Sequence, residues 1–228
     1  MPKTDKSRLA IYGAGGLGRE VRALTMACNA KGSKYRVACF VDDDAEAHKE
    51  TLHSLPVLGL EAAIRVIPKL ALIVAIGDPT AREAVVERLQ ARDIPIVRVL
   101  HPDVWLDRYV QIGEGCIVGG GSVLTTDITV GKCSLINLGT TIGHDVHIGD
   151  FCNLGPGAHV AGYVNLGKRV FVGAGAIIVN GTKSNPITIG DDVFIGASAL
   201  VTHSIPAGAR VFGVPARPIP RMAALPVK

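Results

Sequence analysis

"LINLGTTIGHDVHIGDFCNLG", residues 135–155, decides how this chain folds. Ile136, Ile142, Ile148 and Leu154 stand six residues apart, and glycine follows three of the four. The residue two before each anchor is small or β-branched: Ser134, Thr140, Val146 and Cys152. The same step runs upstream through Ile112, Val118, Leu124 and Val130, and downstream through Val160, Leu166, Val172 and Ile178. It breaks at "VNGTKSNPIT" and resumes at Ile189, Ile195 and Val201. A period of six is neither helical nor that of a globular sheet; held this long, it is the hexapeptide repeat of a parallel β-helix. Each hexapeptide gives one short strand and one corner, and three close a triangular coil with the aliphatic anchors stacked inward. Cys116 and Cys152 fall in the small inward phase, so packing accounts for them. The long step from Ile178 to Ile189 predicts a loop of about five extra residues at one corner, and loops inserted on one face of a solenoid often help build its binding site.

Residues 8–100 follow a different grammar. "RLAIYG", "YRVACFVDDD", "LALIVAIGDP" and "IPIVRVL" read as strands. Between them, Val21, Leu24 and Cys28 recur at helical spacing, as do Ala84, Val85 and Leu89. Alternating strands and helices with apolar strands imply a parallel sheet covered by helices. The expected division is 1–100 for a Rossmann-like parallel α/β half-domain, 101–206 for the β-helix and 207–228 for a C-terminal tail.

The totals agree with two modest domains. The 228 residues are 48% apolar but only 4% aromatic, with 27 glycines, which suits tight turns and small repeated side chains better than a helical bundle or a sandwich. The net charge of +4 is scattered, with no basic block to grip nucleic acid. No long apolar stretch precedes Gly13, so neither a signal peptide nor a membrane span is expected. Five cysteines without a CxxC pair point to free thiols and a cytoplasmic setting.

"GAGGLG", with Gly13, Gly15 and Gly18, matches GxGxxG after a strand and before a helix. Such glycines let backbone approach phosphates at a helix N-terminus. Asp42 and Asp43, at the end of the second strand, can accept hydrogen bonds from ribose hydroxyls or base N–H groups. These residues alone keep a dehydrogenase in view, but fewer than a hundred residues leave no room for the second mononucleotide half.

In order along the chain, "YGAGGLGRE", "FVDDD", "AIGDP", "HPDV", "IGHDVHIGDF", "PGAHVAG" and "GVPAR" resemble the left-handed β-helix sugar acetyltransferases, the family of sialic acid O-acetyltransferases and of bacillosamine- and perosamine-type nucleotide-sugar N-acetyltransferases. The resemblance covers nearly everything from Arg8 to Pro218. It implies an acetyl-CoA-dependent N-acetyltransferase acting on a UDP- or GDP-linked 4-amino-4,6-dideoxy sugar, without a metal, in a homotrimer with active sites between subunits. It places Gly15, Gly16 and Leu17 on the pyrophosphate, Asp42 and Asp43 on the nucleoside, Gly77 on the substrate wall and Asn137 near the sugar. Asn153, Ala174 and Ala197 fall at acetyl-CoA positions. Leu17 and Asn153 depart from the histidines that relatives often carry there.

His144 sits two residues after anchor Ile142, in an outward phase, with Asp145 beside it to fix its tautomer. The resemblance makes His144 the general base, Asp145 its acidic support and the Gly162 backbone N–H the oxyanion donor. His147 and His159 are expected on the surface, and His101 and Trp105 at the junction of the halves. Three other readings use the same residues: an NAD(P) reductase, a zinc-dependent β-helix enzyme, and a non-catalytic solenoid beside a nucleotide sensor. The zinc reading lacks histidines on stacked positions, because Gly162 stands one coil from His144. O-acetylation of a sialic-acid-like sugar is the close alternative within the family, since the same base serves either nucleophile.

Overall fold

The computed structural model describes residues 7–30 and 35–219; residues 220–228 of the expected tail lie outside the described residues. The first half is a five-stranded sheet in the order β3-β4-β2-β1-β5. Its elements are β1 (Ser7–Tyr12), α1 (Gly16–Ala30), β2 (Tyr35–Val41), β3 (Thr51–Leu52), β4 (Leu55–Leu58), α2 (Leu60–Val66), β5 (Ala71–Val74) and α3 (Pro79–Gln90). β1 runs parallel to β2 and β5, and β4 parallel to β2; only β3 is antiparallel. Alternation along the strands divides the core: Leu9, Ile11, Phe40 and Ile73 pack with Val21 and Leu24 of α1, whereas Ala10, Tyr12, Leu72 and Val74 pack with Val85, Val86 and Leu89 of α3. The Asp78 side chain caps α3 by accepting from the Ala81 N–H at 2.7 Å, with Pro79 at the helix start.

The expected fourth strand divides between the two halves. Ile96 makes only an isolated bridge to Leu72, while Val99–Leu100 pairs with Ile117–Val118 and opens the solenoid. The ladder therefore begins two residues before 101. At the other end it runs past 206, because Arg210–Phe212 still pairs parallel with Phe194–Ile195.

The solenoid has three faces. The junction face carries Val99–Leu100, Ile117–Val118, Leu135–Ile136, Asn153–Leu154, Phe171–Val172, Phe194–Ile195 and Arg210–Phe212. The second carries Trp105–Leu106, Val123–Leu124, Thr141–Ile142, His159–Val160, Ile177–Ile178 and Leu200–Val201, and the third carries Gln111–Ile112, Thr129–Val130, His147–Ile148, Val164–Leu166 and Ile187–Ile189. Strands pair with the coil above in unbroken parallel register, as Thr141 with His159 and Ile142 with Val160. The six-spaced anchors fill the interior, each worth roughly 1.5–3 kcal/mol of burial.

The small inward phase has a hydrogen-bonding role. Cys116 Sγ donates to Gly131 O, Ser122 Oγ to Asn137 O, Ser134 Oγ to Gly149 O and Cys152 Sγ to Gly167 O, all at 2.9–3.0 Å. Hydroxyl and thiol are interchangeable there because each quiets one corner carbonyl. Burial pushes the Cys116 thiol up to about 11 and Cys152 to about 12, so neither is a nucleophile at neutral pH.

Val99, Ile117 and Leu135 of the junction face join the α1-side core, and Cys133 and Phe151 join the α3-side core, so apolar packing is continuous between the halves. Trp105 corrects the expectation made for it. It pairs with Val123 on the outer side of the second face and is 58% exposed, away from the junction.

Candidate active site

His144 occupies the corner between the second and third faces, just after Thr141–Ile142. Its Nδ1 lies 2.8 Å from Asp145 Oδ2. With the carboxylate accepting, the proton sits on Nδ1 and the lone pair on Nε2 is free to take another. Asp145 has φ +56°, a left-handed conformation that Asp tolerates and that turns its carboxylate back to the preceding ring. Tyr163 meets the imidazole edge-on, with ring centroids 5.0 Å apart. The ring lies over Gly162 of the next coil: a Cβ there would stand 2.7 Å from both Cε1 and Nε2. Glycine is what lets the imidazole lie flat on that corner. The Gly162 carbonyl accepts from Gly181 N, and no acceptor for the Gly162 N–H is found among the described residues. Gly181 opens the inserted loop, so the extra residues rise from the same edge as His144.

The glycine loop lies at the carboxyl edge of the first sheet. Gly13 has φ +110°, and a Cβ on Gly18 would lie 1.9 Å from Gly13 O, so α1 starts pressed against the strand end. Above Gly15 and Gly16 nothing lies within 4 Å of where a Cβ would be, which leaves the loop open to a ligand. Asp42 and Asp43 divide their work. Asp42 serves the loop, accepting from Ala14 N at 2.8 Å and Asp44 N at 3.0 Å. Asp43 accepts from Tyr12 Oη at 2.5 Å and Arg88 Nη2 at 2.7 Å, and Arg88 also donates to the tyrosine oxygen. Burial pushes the Asp43 carboxyl up, but these hydrogen bonds and the Arg88 charge outweigh it and hold the group below the usual range. Burial, then the bond to Asp43, raises the Tyr12 phenol well above its ordinary value.

A crevice of about 260 Å³ runs from the first turn of α1 to the edge between the junction face and the second face. Leu17, Glu20, Leu24, His101, Asn137 and Leu138 line it. The Leu138 N–H donates to Asn137 Oδ1, which leaves the Asn137 NH2 free for a ligand. His101 packs its ring on Gly120 at the junction. Ala174 and Ala197 are exposed and follow one another on this same edge, each after a glycine at the coil corner. Asn153 stands elsewhere: on the junction face, 6% exposed, with its NH2 donated to Gly77 O at 2.8 Å.

Within one chain, then, the loop, the crevice, Asn137, Ala174 and Ala197 share one edge of the second face, and His144, Asp145 and Gly162 hold the opposite edge. Sequence reasoning missed Tyr12, Arg88 and Glu20, which only the fold brings to their places. Among the described residues no cluster of three His, Cys, Asp or Glu could hold a metal ion, and no helix is long and apolar enough to cross a membrane.

A GxGxxG half-domain feeding a hexapeptide prism with an acid-paired histidine at a corner defines a hexapeptide-repeat acyltransferase. Residues 8–89 match the PglD N-terminal domain, and residues 110–126, 145–180 and 186–211 match the hexapeptide repeat of succinyl-transferase. The chain is 31% identical to the GDP-perosamine N-acetyltransferase of Escherichia coli O157:H7 over 92% of its length and 96% of the relative's. WeeI from Acinetobacter baumannii AYE superposes with TM-score 0.84 at 32% identity, covering 92% of this chain and 99% of that one. The perosamine N-acetyltransferase of Caulobacter crescentus, solved as a histidine-to-asparagine variant with CoA and GDP-perosamine, gives TM-score 0.83 at 31% identity over 93% and 96%. The chain belongs to the perosamine- and bacillosamine-type sugar N-acetyltransferases, enzymes built from a PglD-like N-terminal domain and a left-handed β-helix.

Proposed function

We propose that the protein transfers the acetyl group of acetyl-CoA to the amine of a nucleoside-diphosphate-linked 4-amino-4,6-dideoxy sugar, with His144 as general base. The observation that carries this reading is the His144–Asp145 pair lying over Gly162. The neutral amine attacks the thioester carbonyl, and His144 Nε2 takes the proton that the new C–N bond releases. Asp145 supports the imidazolium without taking its proton. The free Gly162 N–H is the donor for the developing oxyanion. Collapse expels CoA as a thiolate, which regains a proton from His144, leaving the amide and free CoA. The diphosphate lies on Gly13, Gly15, Gly16 and Leu17, the nucleoside against Asp43, and the sugar in the crevice by Gly77 and Asn137. The apolar Leu17, Leu24 and Leu138 suit a deoxygenated sugar carbon. Pantetheine runs past Ala174 and Ala197, and Asn153 backs the Gly77 wall.

The site is completed by a second copy. The chain's own first half covers the junction face at Ile117, Leu135 and Asn153, and the third face presents Gln111, Thr129, His147, Asn165 and Thr188 outward. The second face presents Trp105, Val123, Thr141, His159, Ile177 and Leu200, apolar at four of the six positions, with the tryptophan and Ile177 exposed. Copies that meet on this face head-to-tail and close as a ring of three bring its two unlike edges together. That ring sets the His144 edge of one copy beside the crevice edge of the next. Five free cysteines support work in a reducing, cytoplasmic setting.

The test is thiol release from acetyl-CoA against GDP-, UDP- and TDP-linked 4-amino-4,6-dideoxy sugars, with sialic acid included. Turnover on an amino sugar supports the reading; turnover on sialic acid alone replaces it with O-acetylation. Mixing inactive His144→Asn and Asn137→Leu subunits tests the shared site. Activity regained on mixing is expected, and none regained contradicts it.

A further inference from the structure

Arg82 is the largest fully buried side chain of the protein's described residues, 1% exposed on the inner face of α3. Its guanidinium makes five hydrogen bonds, all to carbonyls: Nε to Cys133 at 2.8 Å, Nη1 to Ile76 at 2.5 Å and Gly77 at 3.1 Å, and Nη2 to Phe151 at 2.8 Å and Cys152 at 3.0 Å. Two of these belong to the strand-end loop of the nucleotide half. Three belong to successive solenoid coils, and Phe151 and Cys152 lie in the same turn as His144. The other buried polar side chain at the junction, Asn153, reaches the same Gly77 carbonyl from the solenoid side. Its Oδ1 is left buried without a partner. Turning the amide over would set that oxygen against the carbonyl, so the orientation is fixed. Two buried donors from opposite sides of the junction thus converge on one oxygen, while the other charged contact between the halves, Arg169 with Glu83, lies nearer the surface.

Satisfying carbonyls is one part of what the arginine does: no other donor to the Ile76, Cys133 and Phe151 oxygens is found among the described residues, so an apolar side chain would leave them unpaired. Position 82 is in line with Val85, Val86 and Leu89 on the apolar face of α3. Burial lowers the guanidinium to about 10, so it stays charged at neutral pH without a carboxylate. What a guanidinium adds is a rigid fork of five donors that sets the angle and height at which the carbonyls meet.

We propose that Arg82 is a positioning residue of the transfer reaction, registering the Ile76–Gly77 loop, and with it the nucleotide half, against the solenoid turn that carries His144. This rests on the acetyl-transfer reading for its consequence: the height of the bound sugar's amine along the prism relative to the His144 of the neighbouring copy, which in a ring of parallel prisms stands level with the chain's own. A displacement of about 1 Å is enough to cost 10²-fold in rate.

The test compares wild type with Arg82→Met and Arg82→Lys in the full chain, each at a temperature where it is folded. Expected is a kcat lowered by roughly 10–100-fold in both variants, the lysine keeping charge but losing the fork. The KM for acetyl-CoA and the Kd for the free nucleoside diphosphate stay within about twofold, because neither needs the two halves in register. A purely structural role would lower Tm and leave kcat per folded molecule unchanged, and that result overturns the proposal. Should Arg82→Met not fold, Arg82→Lys and Asn153→Ala are read in the same way. A readout without any acceptor separates this from the function itself: spin labels at Val66→Cys and Thr129→Cys in a Cys28→Ser background. Arg82→Met is expected to shift or broaden the distance distribution, and an unchanged distribution overturns the proposal. Wild type silent on every acceptor, with a shifted distribution, instead removes the acetyl-transfer reading and keeps the registering role.

Discussion

Gly162→Ala isolates the geometry of the proposed catalytic corner, where His144 meets Gly162, with a single methyl group. Gly162 lies outside the left-handed region, so alanine brings no backbone strain. Its Cβ, however, would stand 2.7 Å from Cε1 and Nε2 of His144. Ordinary contact begins at about 3.5 Å, so the ring must retreat by roughly 0.8–1 Å. It has space to do so, because the side chain is 53% exposed. The same movement breaks the 2.8 Å contact to Asp145 Oδ2 or swings Nε2 away from the Gly162 N–H. Loss of that alignment is expected to lower kcat by about 10²-fold, with both KM values within about threefold. Tm should change little, since no buried atom has to move. Steady-state thiol release with saturating acetyl-CoA measures the rate, and a melting curve on the same sample measures the fold. A Gly162→Ala enzyme with kcat within threefold of wild type would refute the claim that the imidazole acts from its place on this corner.

Three further outcomes follow from named contacts. Asp145→Asn keeps a residue that tolerates φ +56° but removes the charge behind Nδ1, so kcat should fall about 10–10²-fold at unchanged Tm; an unchanged kcat would deny Asp145 its role. Burial raises Cys39 and Cys116 to about 11, and Cys133 and Cys152 to about 12, so a thiol reagent at pH 7.5 should titrate no more than half-buried Cys28 until the protein is unfolded. Arg169 donates to Asp192 at 2.6 Å and 2.8 Å and reaches Glu83 of α3 at 2.9 Å; these bonds hold the Asp192 carboxyl below its ordinary 3.8. A depressed folded-state pKa contributes stability above the unfolded value that is lost as pH falls through the folded one. Arg169→Met should therefore lower Tm at pH 7 by an amount worth about 1 kcal/mol, since Asp192 is half exposed and its pairing is screened by solvent. The difference should close below pH 4, and a gap that persists at low pH would contradict the account.

The solenoid was legible because its period is rigid: every anchor from Ile112 to Ile178 is buried or nearly so where the step of six puts it. Carried further back, the same step reaches Leu106 and Leu100, which would have started the ladder at Val99 and turned Trp105 outward. The neighbourhood of the aromatic, beside "HPDV", points to the junction instead. In the first half, β1, β2 and β5 announced themselves as apolar runs. β3, β4 and α2 did not, because two- and four-residue strands and a seven-residue helix burying only Leu60 and Ala63 show no period. His144 stood out through the family resemblance and its acidic neighbour, since its outward phase alone suits any surface histidine. Asn153 was not readable in the same way: its phase is equally outward, and only the packing of the first half on that face turns it into a buried junction residue. Arg82 left a signal that could have been used, a charge in line with Val85, Val86 and Leu89 on one helix face. Tyr12, Asp43 and Arg88 are brought together only by the strand order, across separations that no local pattern encodes.

On the proposed mechanism, His144 takes the proton from a sugar amine held on the nucleotide half. Its most direct test is acetyl transfer by wild type and His144→Asn on the amino sugar that the acceptor panel selects, with binding of that nucleotide sugar followed by calorimetry. A kcat lowered by about 10²–10⁴-fold in the variant is expected, with the nucleotide sugar bound as tightly as by wild type. A variant that turns over at the wild-type rate, or one that loses activity only because it no longer binds the sugar, would contradict it.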